Sequence, residues 1–543
     1  MSATSATDRR PDVLLVLADD MGFSDIASYG GEVRTPSLDR LAAGGVRMTQ
    51  FYNTARCSPS RASLLTGLHP HQVGIGILNF DDAPDGYPGN LAEECATVAE
   101  VCRDAGYATY LSGKWHLAVD MDRPNPAWPT RRGFDRFFGT LEGAGSFYRP
   151  RTLVRQETNV EHEAEEPGWF YTDAISDTAV RFLAEHDEER GEDPFFLFLS
   201  YTAPHWPLHA HDDDIATYAG RFDAGWDRLR EERLERLVAE GIIDASWPLT
   251  PRDERVPAWE DVVDREWEAS RMATYAAQVD RMDQGIGRVL DQLEATGRLD
   301  NTLVVFLSDN GGCAEEMPPG DGAREFVTAF VPLQETTREG EPVVPGNDPA
   351  LRPGPESTYM SYGRSWANLS NTPFREYKHW VHEGGISTPF IAHWPVGLPT
   401  DGSLCRVPSQ LVDVLPTIAE AAGATYPEQR NGRAVPPVEG VSLLAALRGE
   451  ERPAAERDLF WEHEGNCAVR RGRWKLVRKH RGPWELYDID ADRTELHDLA
   501  GEHPDLVSTL AAAYQSWADR CGVIPREKVL EIYAARGHGL PEE

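Results

Sequence analysis

The sequence predicts an α/β fold with a large mixed, mostly parallel sheet sandwiched by helices and a smaller C-terminal antiparallel sheet plus helix. Short apolar runs without alternation are typical of buried strands, and amphipathic helical stretches separate them along the chain. From about residue 451 the pattern changes to short, closely spaced strands followed by one amphipathic helix. We therefore predict a large α/β domain over residues 1–450 and a small α+β domain over residues 451–543.

Four of the predicted strands are followed by polar side chains. The carboxyl ends of parallel strands meet at one edge of a sheet, which is where such folds bind their ligands. One polar group after a strand is commonly a turn or a helix cap, but four such coincidences predict a functional site. The strands cover residues 11–17, 107–111, 195–200 and 302–307, and the groups that follow them are Asp19 with Asp20, Lys114 with His116, His205, and Asp309 with Asn310.

The stretch around residue 57 is predicted to begin a helix. Pro59 fits the first helical position with Ser58 as its N-cap, and Gly67 fits the C-cap. Cys57 would then lie just ahead of a helix N-terminus, where negative charge is stabilised. An isolated cysteine is more often a buried structural residue, so the interpretation of Cys57 as a reactive group depends on its sequence neighbours.

The polar groups after the strands predict a site for a hard cation and an oxyanion. Ligands that are oxygen atoms only suit Ca²⁺ or Mg²⁺ better than zinc. Cationic side chains beside the cation would let the site bind a tetrahedral oxyanion although the protein is acidic. The oxygen ligands are Asp19, Asp20, Asp309 and Asn310, and the cationic groups are Arg61, Lys114 and Lys378 with up to two histidines.

Lysine is rare in this sequence, with only five among 543 residues. Lys114 and Lys378 lie in motif-like stretches, which favours a specific role for each. Lys475 and Lys479 are predicted to lie in a surface hairpin.

Three further segments have distinct patterns. Residues 271–296 carry apolar side chains at three- and four-residue steps, which predicts a long amphipathic helix. Residues 209–268 are highly charged, and we expect them to form an insertion on the surface. Residues 313–370 are rich in proline, glycine and acidic residues, and such a segment is either a wall of the active site or a mobile surface loop.

The composition limits the classes of partner and compartment. The formal net charge of −35 argues against binding to nucleic acid or to an anionic membrane surface. No apolar run approaches the ~20 residues of a membrane span, and the run after Arg10, residues 13–18, is too short for a signal peptide. Seven cysteines without paired spacing are typical of a reducing compartment. We therefore predict a cytoplasmic protein.

The motif formed by Cys57, Pro59 and Arg61 is similar to the signature of sulfatases, in which a dedicated enzyme oxidises the cysteine to Cα-formylglycine. Together with motifs over roughly residues 10–500, it makes the chain resemble bacterial arylsulfatases of the cytoplasmic type, within the alkaline phosphatase superfamily. The matching motifs are LADDMG at 17–22, TG at 66–67, GKWH at 113–116, APHWP at 203–207, SDNGG at 308–312, YK at 377–378, EGG at 383–385 and ELYD at 485–488.

The resemblance implies a role for each candidate residue. In the family, one hydroxyl of the hydrated aldehyde attacks sulfur, and loss of a proton from the second hydroxyl expels sulfate. One Ca²⁺ per chain is implied, with Mg²⁺ the less favoured ion. Its ligands would be Asp19, Asp20, Asp309, Asn310 and the modified Cys57. Lys114 and Lys378 would stabilise the sulfuryl oxygens, and Arg61 would hold residue 57 in place. Asp309 would activate the first hydroxyl, His116 would deprotonate the second hydroxyl, and His205 would protonate the leaving group.

The resemblance also implies hydrolysis of sulfate monoesters, with aryl sulfates as the first expectation and alkyl sulfates as the second. A formylglycine-dependent phosphonate monoester or phosphodiester hydrolase is one alternative, because phosphate and sulfate esters share a tetrahedral shape. The pair Asp309–Asn310 favours sulfate, since phosphodiesterases of the superfamily tend to have Asp-His there. A non-catalytic binding protein on the same scaffold is the second alternative. The expected partners are a small sulfate ester and a formylglycine-generating enzyme, and we expect neither nucleic acid nor membrane as a partner.

Overall fold

The computed structural model describes residues 9–430, 432–450 and 457–536. Residues 1–8, which are part of the stretch that argues against a signal peptide, lie outside the described residues. So do residues 451–456, where the second domain is predicted to begin, and residues 537–543 at the chain end. The division into two domains at residue 450 therefore stays a prediction.

Strands and helices alternate through most of the described chain. In chain order, the strands are β1 (Asp12–Ala18), β2 (Val46–Met48), β3 (Phe51–Tyr52), β4 (Ala108–Gly113), β5 (Arg136–Thr140), β6 (Leu153–Arg155), β7 (Thr158–Asn159), β8 (Phe195–Ser200), β9 (Thr302–Ser308), β10 (Val344–Pro345), β11 (Thr358–Tyr359), β12 (Phe390–His393), β13 (Ser403–Cys405), β14 (Ser409–Gln410), β15 (Gln429–Arg430), β16 (Arg433–Ala434), β17 (Leu459–His463), β18 (Asn466–Arg471), β19 (Trp474–Arg478) and β20 (Glu485–Asp488). The helices are α1 (Pro36–Ala43), α2 (Cys57–Thr66), α3 (Val98–Asp104), α4 (Tyr171–Arg190), α5 (Asp212–Ala216), α6 (Gly225–Ala239), α7 (Arg265–Ala295), α8 (Asp321–Thr328), α9 (Gly363–Ser370), α10 (Glu383–Ile386), α11 (Val414–Ala422), α12 (Leu444–Leu447), α13 (Pro504–Cys521) and α14 (Arg526–Arg536).

A mixed sheet of ten strands lies at the centre, in the order β13-β2-β12-β9-β1-β8-β4-β5-β6-β7. Its middle strands β9, β1, β8, β4 and β5 run parallel. Leu14 and Val16 of β1 face one hydrophobic core, whereas Val13, Leu15 and Leu17 face the other. Because both faces of β1 are covered, its sequence is apolar without alternation, as the sequence analysis predicts. The predicted fold class is confirmed.

Two helices, α7 and α2, begin at residues other than those the sequence predicts. The apolar stripe of α7 is buried as predicted, although the helix begins at Arg265 rather than at residue 271. Helix α2 begins at Cys57 with Arg56 as its N-cap, so the prediction of Ser58 as N-cap is wrong. No side chain caps this end of α2, which is why the local sequence did not indicate it, whereas Gly67 closes the helix as predicted with φ 67°.

The charged segment 209–268 is not wholly on the surface. Trp226 and Arg233 of α6 are fully buried, and Arg233 forms ion pairs with Asp25 at 2.8 Å and Glu32 at 2.7 Å. The expectation of a surface insertion is wrong for this helix because its charges pair with carboxylates that are distant in sequence. Within the described residues, no helix combines the length and apolar composition needed to span a bilayer.

The C-terminal part contains the predicted antiparallel sheet and helix. Strands β17, β18, β19 and β20 pair in that order, and Tyr514 and Trp517 of α13 pack on one face against Val469 and Leu486. The other face packs against Tyr52 and other residues that precede the small sheet in the chain. The small sheet is therefore enclosed on both faces.

Buried ion pairs join this small sheet to the rest of the chain. The Nζ atom of Lys475, on β19, lies 2.9 Å from Oε1 of Glu383 and 2.8 Å from Oε1 of Glu495. Arg493 donates to Oε2 of Glu383 at 2.9 Å. Since the side chain of Lys475 is fully buried, its predicted place in a surface hairpin is wrong, whereas Lys479 is exposed over 40% of its side chain.

We expect Lys475→Met to lower the free energy of unfolding by about 3–5 kcal/mol, because it removes the ion-pair partner of the buried Glu495 and leaves Glu383 with Arg493 alone. Urea denaturation followed by circular dichroism measures this. Lys528→Met is the matched control, since Lys528 is 45% exposed and lies 3.6 Å from Glu531, and it should change the stability by less than about 0.5 kcal/mol. Equal stability of the two variants would contradict the prediction.

Candidate active site

The carboxyl ends of β1, β8 and β9 bring polar groups together. Both β8 and β9 pair in parallel with β1, so Asp19, His205 and Asp309 all follow strands that end at the same sheet edge. The N–H of Asp309 donates to the carbonyl oxygen of Ala18 at 3.1 Å, and the N–H of Asp19 donates to that of Ala203 at 3.1 Å. These backbone hydrogen bonds extend the strand alignment of the sheet to the residues of the site.

The acidic groups form one buried cluster. Asp20 adopts a left-handed backbone conformation with φ 65°, and its N–H donates to Oδ1 of Asp309 at 3.1 Å. The amide of Asn310 donates to Oδ1 of Asp20 at 2.6 Å. Together with Asp19, these side chains are almost fully excluded from solvent. The structure thus brings together the four predicted oxygen ligands.

Two oxygen atoms of this cluster are unsatisfied among the described residues. Oδ1 of Asp19 and Oδ1 of Asn310 are buried and accept no hydrogen bond. Buried polar atoms normally have a partner, so each such exception requires an explanation. A hard divalent cation supplies one, because its preferred ligands are carboxylate and amide oxygens. The residues present fit such an ion.

The carboxyl groups of the cluster differ in their pKa values. Burial, together with repulsion from Asp309, raises the pKa of Asp19 to about 6. Burial acts in the same direction on Asp20, but His205 and Lys378 outweigh it and bring the pKa of Asp20 to about 2. A bound dication would favour the ionised form of both groups.

Lys114 and Arg61 offset the negative charge of the acidic cluster. The Nζ atom of Lys114 lies 2.5 Å from Oδ2 of Asp19. Arg61, on α2, lies 3.0 Å from Oδ2 of Asp309 and donates to the hydroxyl of Ser200 at 2.6 Å. Lys114 and Arg61 have no solvent exposure. Lys114 follows the end of β4, whereas Arg61 belongs to the helix that carries residue 57.

Cys57 is the first residue of α2 and lies in the wall of a cavity of about 210 Å³. Its side chain is buried. Burial raises the pKa of the Cys57 thiol, and the nearby Lys114 and Lys378 act against this shift. At neutral pH the thiol therefore holds its proton and is a poor nucleophile in this unmodified form.

His116 lies on the opposite side of the helix start, in the same cavity. Its backbone is left-handed with φ 61°, and its Nε2 atom lies 3.2 Å from the hydroxyl of Ser58. Burial, followed by repulsion from Lys114 and Arg61, lowers the pKa of His116 well below its ordinary value. The imidazole is therefore neutral at pH 7.

His205 and Lys378 form the other side of the cavity. The Nζ atom of Lys378 lies 2.7 Å from Oδ2 of Asp20 and 3.3 Å from Nε2 of His205. Nδ1 of His205 lies 2.7 Å from the carbonyl oxygen of Trp206, so it carries a proton. Burial lowers the pKa of His205, although Asp20 opposes the shift. Burial also acts to lower the pKa of Lys378, but Asp20 and other anions raise it well above its ordinary value.

The sequence analysis missed Glu315, which also lines this cavity. Its Oε1 atom lies 2.9 Å from Arg56, and its Oε2 atom accepts the indole N–H of Trp206 at 2.7 Å. Glu315 and Phe330 belong to the segment 313–370, so this segment forms a wall of the cavity, one of the two predicted alternatives. A single glutamate in an irregular segment cannot be recognised as a site residue from the sequence.

A wider cleft of about 680 Å³ adjoins the cavity and shares Arg56, Glu315 and Lys378 with it. Its far side holds His379 and Glu464, which form a second group of potential metal ligands with the buried His463. That group does not fit a cation well, because Arg526 already lies 2.9 Å from Glu464 and the amide of Asn466 donates to Nε2 of His379 at 3.2 Å.

Comparisons with known proteins agree with this geometry. Residues 11–424 match the family described as Sulfatase, and residues 375–515 match the C-terminal family of N-sulphoglucosamine sulphohydrolase. The chain belongs to the sulfatase family. It is 34% identical to an arylsulfatase of Klebsiella aerogenes over 82% of the chain and 93% of that relative. It is 32% identical to an uncharacterized sulfatase of Schizosaccharomyces pombe, over 96% of the chain and 95% of that relative.

Solved structures show the same fold. The crystal structure of Ps i-CgsB in complex with k-i-k-neocarrahexaose superposes with a TM-score of 0.65 at 24% identity, over 94% of this chain and 93% of the other. The predicted family and enzyme class are confirmed: the protein is a sulfatase, an enzyme that hydrolyses sulfate esters. The structure brings every predicted site residue of the sulfatase to one place, while the catalytic role of each stays a prediction.

We expect Gly143→Ala to lower the kcat of the sulfatase for 4-nitrophenyl sulfate by about a hundredfold. A Cβ atom at residue 143 would lie 2.3 Å from Cε1 and Nε2 of His116, so the imidazole must leave its position, and a misplaced proton-transfer group costs a factor of this order. Steady-state kinetics measure the effect. Gly145→Ala is the matched control, because nothing lies within 4 Å of that Cβ atom; equal activity of both variants would show that the position of His116 is unimportant.

Proposed function

We propose that this sulfatase hydrolyses aryl sulfate monoesters, with alkyl sulfates as a second class, through a formylglycine at residue 57. The observation that carries this proposal is the position of Cys57, which begins α2 in the wall of a cavity shared with His116, His205 and Lys378. The unpaired N–H groups and dipole of a helix N-terminus favour negative charge at that point. The resemblance to an arylsulfatase along most of the chain adds support.

A divalent cation is part of this proposal. Asp19, Asp20, Asp309 and Asn310 would hold it, together with the modified residue 57, and the two unsatisfied oxygen atoms of the cluster support this assignment. When bound, such an ion withdraws negative charge from the oxygens of the ester and of the nucleophile. We propose Ca²⁺ rather than Mg²⁺, because Mg²⁺ dehydrates reluctantly and usually keeps several waters.

The hydrate of formylglycine would supply one hydroxyl that attacks sulfur and a second whose ionisation lets sulfate leave. Asp309 is proposed to accept the proton of the first hydroxyl. Arg61 fixes Asp309 at 3.0 Å and belongs to the same helix as residue 57. Arg61 is therefore proposed to hold the base and the nucleophile in one fixed arrangement.

Lys114 and Lys378 are proposed to bind the sulfuryl oxygens. Each is paired with a carboxylate of the cluster, at 2.5 Å for Asp19 and 2.7 Å for Asp20. Both ammonium groups are buried, where their attraction for an anion is stronger than in water. The ammonium groups would thus stabilise the charge that collects on the sulfuryl oxygens.

The two histidines are proposed to move protons on opposite sides of the cavity. His205 would protonate the leaving oxygen, and its Nε2 atom faces Lys378 and Asp20, so it gains its proton when the negative charge of the ester enters the site. His116 is neutral and would accept the proton of the second hydroxyl. Their different environments support these different roles.

The walls around the leaving group support a preference for apolar alcohols and phenols. Leu78, Phe80, Val119, Met121 and Phe330 line the cavity above Cys57. Apolar walls favour an aromatic or alkyl group over a polar group that finds no partner in the cavity. The size of the adjoining cleft leaves room for larger leaving groups.

Two alternatives from other classes are distinguished by turnover. A phosphonate monoester hydrolase would use the same oxygen ligands, and the family relatives favour sulfate over it. Turnover of an aryl phosphonate faster than of the matching aryl sulfate would favour that alternative. Binding of both esters without turnover, in protein that carries formylglycine, would favour a non-catalytic sulfatase-like protein.

Maturation is proposed to precede folding. Cys57 is 2% exposed in the folded chain, so a formylglycine-generating enzyme has to reach this segment before the cavity closes. We also propose a cytoplasmic location, because the six cysteines other than Cys57 are buried free thiols, the state that a reducing compartment maintains. A small sulfate ester is the proposed substrate.

We expect mass spectrometry of the peptide that contains residue 57, from protein of the native host, to show an aldehyde in place of the thiol. The Cys57→Ala variant should fold and lose at least about 10⁴-fold in kcat, because it has no nucleophile. An unmodified thiol in fully active protein would disprove the formylglycine mechanism.

We expect chelation of divalent cations to lower the kcat for 4-nitrophenyl sulfate at least tenfold, because the anionic oxygens lose their strongest counter-charge. Added Ca²⁺ should restore the activity at a lower concentration than Mg²⁺ does. The Asn310→Ala variant should need more Ca²⁺ for the same recovery. Full activity after exhaustive chelation would refute the assignment of this cluster as a cation site.

A further inference from the structure

One carboxyl group beside the nucleophile has no partner in the part of the chain that the structure describes. Glu142 lies two residues after β5 and lines the same cavity as Cys57 and His116. It is 7% exposed, yet neither an ion pair nor a side-chain hydrogen bond engages its carboxyl group. Arg151, the nearest cation that acts on it, lies instead 3.3 Å from Glu161.

Such a group is costly to bury, and burial raises the pKa of Glu142 to about 8. The other charged residues of this cavity have partners, and Asp81 accepts the N–H of Ala83. Arg56 pairs with Glu315, and Lys378 pairs with Asp20. Since the side chain of Glu142 contributes no hydrogen bond to the fold, its presence at the cavity wall indicates a role toward a ligand.

The remaining walls of the cavity suit a cation. Phe80, Trp206 and Phe330 are aromatic and line the same space as Glu142. Aromatic faces attract ammonium groups, more strongly where water is excluded. The cavity is also small, at about 210 Å³, so a group attached to the ester oxygen would come close to both the rings and the carboxyl group.

We propose that Glu142 selects leaving groups that carry an ammonium group, so that sulfate esters of small amino alcohols are preferred substrates. This inference rests on the proposed sulfatase function and extends it to the leaving group. The sulfate end of such an ester is attracted by Lys114 and Lys378. Its ammonium end stabilises the ionised carboxylate of Glu142 against burial, which favours the protonated form. In the reaction, the bond between sulfur and the leaving oxygen breaks, and water provides the hydroxyl on sulfur and the proton on the amino alcohol.

The test compares two esters of equal shape: 2-(trimethylammonio)ethyl sulfate and its neutral isostere 3,3-dimethylbutyl sulfate. We expect the protein with formylglycine at residue 57 to show a kcat/KM at least tenfold higher for the ammonium ester. Glu142→Gln should remove this preference and keep the kcat/KM for the neutral ester within threefold. Glu188→Gln removes the same charge from an exposed position and should leave the preference intact.

Equal kcat/KM values for the two esters in the wild-type protein, or an unchanged preference in Glu142→Gln, would overturn the inference while hydrolysis itself continued. If neither ester nor 4-nitrophenyl sulfate is hydrolysed, the proposed function fails, and calorimetric titration still decides the inference. Tighter binding of the ammonium ester, lost in Glu142→Gln, would support it. Equal binding of both esters would overturn it.

Discussion

The structure depends on cations that offset the negative charge of three carboxylates, which the parallel sheet places close together. Asp19, Asp20 and Asp309 follow two neighbouring strands, so the topology that makes the fold also places like charges at one edge. Leaving them buried and unpaired would cost several kcal/mol each. The cations that offset them come from three distant elements: Lys114 after β4, Arg61 on α2 and Lys378 before α10. The site therefore forms only when the whole domain is assembled.

The sequence was sufficient to predict the parts of the fold that follow from local patterns. The buried run of β1, the stop of α2 at Gly67 and the acidic pair at the strand end all depend on neighbours in the chain. The ion pairs of Arg233 join residues more than two hundred positions apart, and Lys475 is buried against Glu383, 92 positions away. The free carboxyl of Glu142 depends on a cavity wall. No sequence periodicity predicts such pairings. A charged residue looks identical in the sequence whether its side chain contacts water or a distant carboxylate.

The cavity has two chemically different halves, and they are built from different kinds of structure. The half proposed to bind the sulfate group is made of strand ends and a helix start, fixed by backbone hydrogen bonds of the sheet. The half proposed to bind the leaving group is made largely of connecting segments, including the wall that carries Glu315 and Phe330. A rigid anion site beside a variable wall allows one reaction to be applied to different esters, because loops accept substitution more readily than strands do.

The stretch from Arg375 to Glu383 is clamped by the small sheet on both sides of Lys378. Lys479 lies 2.5 Å from Glu376, Arg375 donates to the hydroxyl of Tyr487 at 3.0 Å, and Lys475 lies 2.9 Å from Glu383. The small sheet thus supports the segment that carries Lys378, a cation proposed to bind the sulfuryl oxygens. An exchange of C-terminal segments between related chains would consequently also exchange the support of Lys378. A chimaera joined near residue 450 would have to match the segment around Lys378 to a foreign small sheet.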